Sequence, residues 1–270
     1  MRIAFVGGGN MARAIIGGLV GKGIRGSDIS VVEIDAAARA RLAADFGVAA
    51  LEAPGPALGR IDVVVMAVKP QHMRTAAAAL APHVGNPLIV SIAAGIRVGD
   101  LSRWMQDRKR VVRAMPNTPA LVHAGITGLF APQGVSADDR QAAEDLLASV
   151  GATLWFERED ELDAVTAVSG SGPAYVFYAI EALEMAARDL GLAEGASRSL
   201  ALWTFVGATK LAIERGEDPA ALRAQVTSKG GTTERALEVL DAAGVKANFV
   251  AAVKAACARS RELGDALGKD

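Results

Sequence analysis

The first half of the chain alternates short apolar runs with segments whose apolar positions repeat at helical spacing. The runs at 3–6, 29–34, 63–68 and 88–91 are rich in valine and isoleucine. The run at 63–68 is almost purely apolar, which is typical of a strand that is covered on both faces of a sheet. Helical patterns, such as the one at 11–21, lie between them. This alternation predicts an α/β fold with a parallel sheet and right-handed crossover connections.

From residue 161 onward the strand pattern disappears and helical patterns remain. The predicted helices cover 173–190, 195–215, a segment that begins at Pro219, 234–243 and 245–267. We therefore expect two domains, a Rossmann-type domain at 1–160 and an all-helical domain at 161–270. One predicted helix carries several apolar residues close together, such as Leu200, Trp203 and Val206. A small helical domain cannot bury this much apolar surface alone, so the pattern favours dimerisation.

Composition and charge exclude several classes of function. The 270 residues include 29 Lys and Arg against 30 Asp and Glu, and only three Trp, two Tyr and seven Phe. Neither a basic patch nor stacking platforms for nucleic acid are expected. No apolar run reaches the roughly 18 residues of a membrane span, and the glycines at 7–9 interrupt the apolar start that a secretion signal would need. We expect a cytoplasmic protein.

Metal and disulfide chemistry are not expected either. Cys257 is the single cysteine of the sequence, so neither an internal disulfide nor a thiolate-rich metal site can form. The three histidines, His72, His83 and His123, show no metal-ligand spacing. The predicted site therefore contains no metal.

The chemistry-bearing motif at the start is G-G-G-N-M-A at 7–12, which matches G-x-G-x-x-A and follows the first predicted strand. Gly7 allows a tight turn, Gly9 lets a pyrophosphate approach the backbone, and Ala12 permits close helix packing. The phosphates would then lie at a helix N-terminus, where unpaired N–H groups and the dipole favour anions. We interpret the motif as a dinucleotide-binding loop; the alternative is a merely structural turn.

Acidic residues at the end of the second strand bear on cofactor choice. Asp35 is the predicted acceptor for the adenine-ribose hydroxyl, and Glu33 lies two residues before it. A carboxylate here disfavours the 2′-phosphate of NADPH. Arg39 and Arg41 follow closely and could supply the compensating charge. Both NADH and NADPH stay open at this point.

Four further sequence motifs occur along the chain. They are A-V-K-P-Q at 67–71, M-P-N-T-P-A at 115–120, S-G-S-G-P-A-Y at 169–175 and T-S-K-G-G-T-T at 227–233. With the opening glycine loop, this set resembles the pyrroline-5-carboxylate reductases over essentially the whole chain. The resemblance implies reduction of 1-pyrroline-5-carboxylate to L-proline by NADPH or NADH, the last step of proline biosynthesis. It also implies a homodimer or higher oligomer whose active site lies at the subunit interface.

The resemblance also assigns individual residues. Those implied at the cofactor, besides Gly7 and Gly9, are Gly8, Asn10, Met11, Val68, Lys69 and Ala94. Gln225 stands where some relatives have a substrate-side Asn, and Glu159 matches a substrate-side carboxylate in some relatives. Glu159 lies in a charged run, however, so we expect it on a solvated face. Pro54 replaces an Asn that contacts the ribose in relatives.

The string at 227–233 predicts the substrate site. Gly230, Gly231, Thr232 and Thr233 directly precede a predicted helix, where two glycines let successive N–H groups converge on a carboxylate. Ser228 adds a hydroxyl, and Thr233 matches the family threonine that contacts the ring nitrogen, so we take it as the catalytic residue. A threonine hydroxyl is a poor general acid, so the proton comes from water or arrives on the imine. The alternative is a helix N-cap with a flexible turn.

Two other functions remain as alternatives. A related imine or β-hydroxyacid oxidoreductase would share the fold, and the latter needs a second-half lysine as general acid, for which Lys210 is the candidate. A cofactor-binding regulatory protein with a helical dimerisation half is the non-catalytic alternative. The oxidoreductase alternative leaves the motif at 227–233 unexplained, and dinucleotide binding without turnover would favour the regulatory one.

Overall fold

A computed structural model describes residues 1–269. The strands are β1 (Ile3–Val6), β2 (Ile29–Val32), β3 (Ala49–Leu51), β4 (Val63–Met66), β5 (Leu88–Ser91), β6 (Val111–Met115), β7 (Gly125–Phe130) and β8 (Gly151–Phe156). The helices are α1 (Asn10–Gly21), α2 (Ala36–Phe46), α3 (Met73–Leu80), α4 (Val98–Trp104), α5 (Ala137–Leu147), α6 (Glu161–Val165), α7 (Gly172–Asp189), α8 (Glu194–Arg215), α9 (Pro219–Gln225), α10 (Thr232–Ala242) and α11 (Val245–Leu267).

The strands form one sheet in the order β3-β2-β1-β4-β5-β6-β7-β8. The first six are mutually parallel, in the strand order of a Rossmann fold. β7 runs antiparallel to β6, and β8 is parallel to β7. The predicted parallel sheet is therefore confirmed for β1 to β6, and β7 adds an antiparallel strand that the prediction did not specify. The connection between β6 and β7 holds only a short 3-10 turn, Thr118–Val122, whereas parallel neighbours need a longer crossover.

Both faces of the sheet are covered, which explains the purely apolar runs. Along β1 and β4 every residue is buried. On one face, α1 and α5 contribute Ile15, Ile16 and Leu146 to the core. On the other face, α3 and α4 contribute Leu80 and Leu101. Fully burying each such side chain stabilises the fold by about 1.5–3 kcal/mol.

An ion pair fastens α5 to the start of β6. The Arg110 guanidinium donates to both carboxylate oxygens of Asp139, at 2.9 and 2.6 Å, and a further Arg110 N–H donates to the Asn86 carbonyl. The hydrogen bonds from Arg110 lower the pKa of Asp139 below its ordinary value, and Asp139 raises the pKa of Arg110. This two-point contact ties the helix to the sheet.

We expect Asp139→Asn to lower the free energy of unfolding by about 2 kcal/mol at pH 7, because it breaks a charge-assisted pair. Since folding lowers the pKa of Asp139, the stabilisation is present above the unfolded pKa of about 3.9. It disappears as the pH falls through the lower folded value. Urea unfolding at pH 7 and at pH 3 measures both effects. Asp138→Asn, in the same first turn but exposed, is the control; an equal loss there would contradict the prediction.

By packing, the chain divides into two compact units. One comprises Met1–Ser171 together with the chain from Ala256, and the other is Gly172–Ala255. Within the first unit, the buried Ser260 hydroxyl donates to Asp163 at 2.7 Å, and Asp265 pairs with Arg97. This packing division lies at Ser171, and it places the end of α11 in the sheet unit. The domain boundary at residue 160 stays a prediction.

The second unit consists of helices. α7 and α8 pack against each other, and Tyr175 meets Phe249 edge to face at 5.7 Å between ring centroids. Large apolar side chains remain exposed in this unit: Phe177, Trp203 and Ile213 are 65%, 72% and 76% exposed. Within residues 1–269, no helix has the length and apolar character to cross a membrane.

Helical structure between residues 161 and 171 is absent from the sequence-based prediction. Here α6 continues into one turn of π-helix, Thr166–Gly170, closed by the N–H of Ser171 donating to the carbonyl of Thr166 at 2.8 Å. Single π-turns are frequent at functional sites. This one ends inside the S-G-S-G-P-A-Y motif.

Candidate active site

The glycine loop lies at the carboxyl ends of β1 and β4. The N–H of Gly7 donates to the carbonyl of Val32 at 2.8 Å, and its φ is +99°. A Cβ at Gly7 would lie 2.8 Å from the carbonyl oxygen of Ala67. Both the left-handed backbone and the close approach of a neighbouring strand therefore require glycine here.

Beyond this turn, the N-terminus of α1 is open. Gly9 is the N-cap, with no side-chain cap, and the first turn carries no acidic residue. A Cβ at Gly9 would meet nothing within 4 Å. The first-turn N–H groups, including those of Asn10 and Met11, have no intrahelical acceptor. This uncapped, open helix end fits the pyrophosphate of a dinucleotide.

At the end of β2 the structure separates the two candidate carboxylates. The Glu33 carboxylate faces the glycine loop and accepts from the N–H of Gly8 at 2.7 Å and of Asp35 at 2.9 Å. The Asp35 carboxylate instead caps α2, where it accepts from the N–H of Ala38 at 2.6 Å. Glu33, not Asp35, thus contacts the loop, and a cofactor role for Asp35 stays a prediction.

The remaining cofactor candidates follow β4 and β5. Val68 is half-buried against the core of the sheet unit, Lys69 is exposed at the start of a 3-10 turn, and Ala94 is half-buried in the loop after β5. Carboxyl ends of parallel strands are where open α/β sheets bind ligands. The structure therefore places all three on the same edge as the glycine loop.

Glu159 braces the loop that carries Ala94. Its carboxylate accepts from the N–H of Val98, the first residue of α4, at 2.7 Å. It also lies 3.3 Å from the guanidinium of Arg113, whose side chain is 5% exposed. The expected solvated face is therefore wrong for Glu159, which neutralises a buried arginine. A contact between residues so far apart leaves no pattern in the sequence.

We expect Glu159→Ala to lower the free energy of unfolding by about 3 kcal/mol, because it leaves the Arg113 guanidinium buried without a counter-charge. Chemical denaturation at pH 7 measures the loss. The matched control is Glu157→Ala, in the same charged run but exposed. Equal stability of the two variants would mean that another residue supplies the counter-charge to Arg113.

Two motifs that lie about fifty residues apart form one cluster. The Asn117 side chain donates to the carbonyl of Ser169 at 3.1 Å and accepts from the N–H of Ile126 at 2.9 Å. A Cβ at Gly170 would lie 2.6 Å from the Met115 methyl group. The M-P-N-T-P-A loop thus holds the π-turn, a positioning role that the sequence reasoning missed.

In the second unit, the string at 227–233 forms a tight turn before α10. Gly230 has a φ of +75°, and the N–H of Gly231 donates to the carbonyl of Ser228 at 3.0 Å. The N–H of Gly230 donates to the Glu234 carboxylate at 2.6 Å. One of the N–H groups predicted for the substrate is therefore already bound to a side-chain carboxylate.

The start of α10 leaves other donors for an anion. Gly231 is the N-cap and makes no side-chain cap hydrogen bond, so neither Thr232 nor Thr233 is the capping residue that the alternative interpretation requires. Their N–H groups lie in the first helical turn and have no intrahelical acceptor. The turn can therefore offer two N–H groups and the Thr233 hydroxyl to a small anionic ligand.

The two other candidates in the second unit, Gln225 and Lys210, lie close to neighbouring carboxylates. The Gln225 side chain donates to Glu217 at 2.6 Å. Lys210 is exposed and lies 3.7 Å from Glu214, one helical turn away. In the described part of the chain, no group of three or more His, Cys, Asp or Glu side chains could hold a metal ion.

Comparison with known proteins gives matches along the whole chain. A family model described as pyrroline-5-carboxylate reductase dimerisation matches residues 159–263. A second, described as NADP oxidoreductase coenzyme F420-dependent, matches residues 2–95. Among curated proteins, the chain is similar to the pyrroline-5-carboxylate reductase of Pseudomonas aeruginosa, 45% identical over 99% of this chain and 98% of the relative. That of Haemophilus influenzae is 42% identical over 97% of each.

Solved structures agree with these matches. The chain resembles a pyrroline-5-carboxylate reductase from Coxiella burnetii with a TM-score of 0.91 and 38% identity, over 97% of this chain and 98% of that one. It also resembles a Plasmodium falciparum pyrroline carboxylate reductase with NADP bound, with a TM-score of 0.86 and 28% identity over 98% of each chain.

Proposed function

We propose that this chain, which belongs to the pyrroline-5-carboxylate reductase family, reduces 1-pyrroline-5-carboxylate to L-proline with NAD(P)H. The family predicted from the five motifs is confirmed, and so is the fold class. The observation that carries the proposal is the match of the whole chain to this one enzyme, with the glycine loop built as a dinucleotide requires. We place the reaction as the last step of proline biosynthesis.

The cofactor half is proposed as residues 1–160. The open N-terminus of α1 would hold the pyrophosphate, with Gly7 and Gly8 forming the tight turn before it and Gly9 keeping a side chain out of its path. Backbone N–H groups of Asn10 and Met11 would contact it. When bound, the nicotinamide supplies a hydride, which the imine carbon receives while the ring nitrogen acquires a proton.

Further cofactor contacts are proposed along the same edge of the sheet. Val68 and Lys69 follow β4, and Ala94 lies in the loop that Glu159 braces. We propose that these residues orient the dinucleotide, because loops at the carboxyl ends of neighbouring strands face one crevice. Orientation is the protein's main contribution to a hydride transfer.

The substrate half is proposed as residues 161–270. The carboxylate of the substrate would accept from the N–H groups of Thr232 and Thr233, at the positive end of the α10 dipole. The turn glycines, Gly230 and Gly231, and the Ser228 hydroxyl would shape this pocket. Gln225 would contact the substrate from α9.

Thr233 is the proposed catalytic residue, with its hydroxyl at the ring nitrogen. The N-cap of α10 is Gly231, so the Thr233 hydroxyl is not needed as an N-cap. Its role is to orient the imine for hydride transfer rather than to ionise, because a threonine hydroxyl is a poor acid at neutral pH. Water or prior protonation of the imine supplies the proton.

The protein is proposed to work as a homodimer or higher homo-oligomer in the cytoplasm. The matched dimerisation model covers the helical part, and α7 and α8 expose Phe177, Trp203 and Ile213. Exposed apolar surface of this kind is typical of subunit interfaces. We propose that one subunit's cofactor meets its partner's helical half, and that neither membranes nor nucleic acids are partners.

The direct test is an assay of the purified protein with 1-pyrroline-5-carboxylate and each cofactor. Loss of nicotinamide absorbance, with proline as the product, is expected. Dinucleotide binding without turnover would contradict the proposal and favour a regulatory protein. The control is a β-hydroxyacid with the oxidised cofactor, NAD⁺ or NADP⁺, followed by the gain of nicotinamide absorbance. Turnover of the β-hydroxyacid alone would favour the alternative oxidoreductase.

A further inference from the structure

We propose that this chain uses NADH in preference to NADPH and that Glu33 is the residue that discriminates between them. The inference rests on the proposed function only in that the glycine loop binds a nicotinamide dinucleotide. One matched family model names NADP, and one similar structure contains it. The preference is therefore assigned from this chain's own residues and not from its relatives.

The position of the Glu33 carboxylate is fixed from two sides. It bridges the N–H of Gly8, 2.7 Å away, and the N–H of Asp35, 2.9 Å away. A Cβ at Gly8 would lie 3.3 Å from the same carboxylate. With pyrophosphate at the start of α1, the adenine ribose would lie beside the end of β2. The Glu33 carboxylate would then accept from the ribose hydroxyls.

The two cofactors differ in what they offer this carboxylate. An ionised carboxylate has about four acceptor sites, and backbone N–H groups take two of them. The ribose of NADH has two hydroxyl protons for the remaining sites. The 2′-phosphate of NADPH replaces one of these donors with a group carrying roughly −1.5 to −2 charges at pH 7. Like charges would then face each other at the loop.

The nearby arginines do not offset this charge. Arg39 donates to the backbone carbonyls of Glu33 and Ile34, at 2.8 and 2.9 Å, and lies 3.6 Å from the Glu52 carboxylate. Its guanidinium would have to leave three oxygens to reach a phosphate. Arg41 is two residues further along α2, about 200° around the helix, and therefore faces away.

The wild-type test separates this proposal from the proposed function. Binding of NADH and of NADPH is titrated by nicotinamide fluorescence without any imine, so a failure of turnover leaves the result intact. We expect NADPH to bind about tenfold or more weakly than NADH, and kcat/KM with the imine to follow the same ratio. Equal binding, or tighter NADPH binding, would overturn the proposal.

Two variants test whether Glu33 is the residue that discriminates between NADH and NADPH. Glu33→Gln removes the charge and should improve the NADPH-to-NADH affinity ratio about tenfold. Ile34→Arg adds a cation beside Glu33 on a side chain that is 85% exposed, so folding is preserved even if Glu33→Gln is unstable. It should tighten NADPH binding and leave NADH unchanged, while Ile34→Gln is the uncharged control. If the NADPH-to-NADH affinity ratio is unchanged in both Glu33→Gln and Ile34→Arg, Glu33 stabilises the glycine loop and does not discriminate between the cofactors.

Discussion

Replacing Gly7 with alanine is expected to lower the free energy of unfolding by about 3 kcal/mol and to abolish measurable dinucleotide binding. The backbone φ of +99° is strained for any residue with a Cβ. The added carbon would also lie 2.8 Å from the Ala67 carbonyl oxygen, and a strand end buried on both faces cannot easily move away. Urea unfolding and fluorescence titration with NADH measure the two effects.

Gly9→Ala is the matched variant, because it adds the same carbon where nothing lies within 4 Å. Its stability should fall by no more than about 1 kcal/mol, because alanine is less favourable than glycine at the N-cap of α1. Its affinity for dinucleotide should still fall at least about tenfold, because the new methyl group occupies the path of the pyrophosphate. Unchanged affinity in Gly9→Ala would mean that the loop is a structural turn and that the cofactor binds elsewhere.

Thr233→Ala is expected to lower kcat/KM for 1-pyrroline-5-carboxylate about 100-fold, because the hydroxyl orients the imine. Dinucleotide affinity should not change, since the predicted cofactor contacts all lie in the sheet unit. Stability should not change either, because Gly231 and not Thr233 is the N-cap of α10. Steady-state kinetics, fluorescence titration and thermal unfolding separate the three readouts.

Thr233→Ser keeps the hydroxyl and should recover most of the activity. If alanine and serine are equally poor, the methyl group rather than the hydroxyl is what the substrate meets. If Thr233→Ala retains wild-type kinetics but melts at a lower temperature, the residue stabilises the helix start, and the substrate contact belongs to another group of the turn.

The sheet is well predicted where burial alone determines the residues. β1 and β4 are covered on both faces, so their sequences are purely apolar, and β5 is apolar up to its last residue, Ser91. The direction of β7 depends instead on the connection before it. This connection is short and contains only the turn at Thr118–Val122, so it has no room for a crossover helix. The length of the connection is therefore a signal that could have predicted the antiparallel direction of β7.

In the candidate site, glycines are easier to predict than carboxylates. Gly7 is selected by a backbone conformation that few other residues adopt, so its role can be inferred locally. Glu33 and Asp35 lie two residues apart, and spacing cannot tell which one faces the loop. The three alanines after Asp35 are a helix start, and reading them as such would have assigned Asp35 to an N-cap.

Contacts between residues that are distant in the sequence could not be predicted. Glu159 stands in a run of charges and looks solvated until Arg113 and the first N–H of α4 are brought beside it. Asn117 likewise acquires a role only when the π-turn packs against its loop. Such pairs depend on the completed topology, and a single sequence carries no local trace of them.

The return of α11 to the sheet unit bears on how the chain folds as it is synthesised. The turns that carry Ser260 and Asp265 leave the ribosome only after Gly172–Ala255 has been made, a delay on the order of ten seconds. Until then Asp163 lacks its buried partner, although all eight strands are already available. The sheet unit therefore reaches its complete set of contacts only after the whole helical unit has been synthesised.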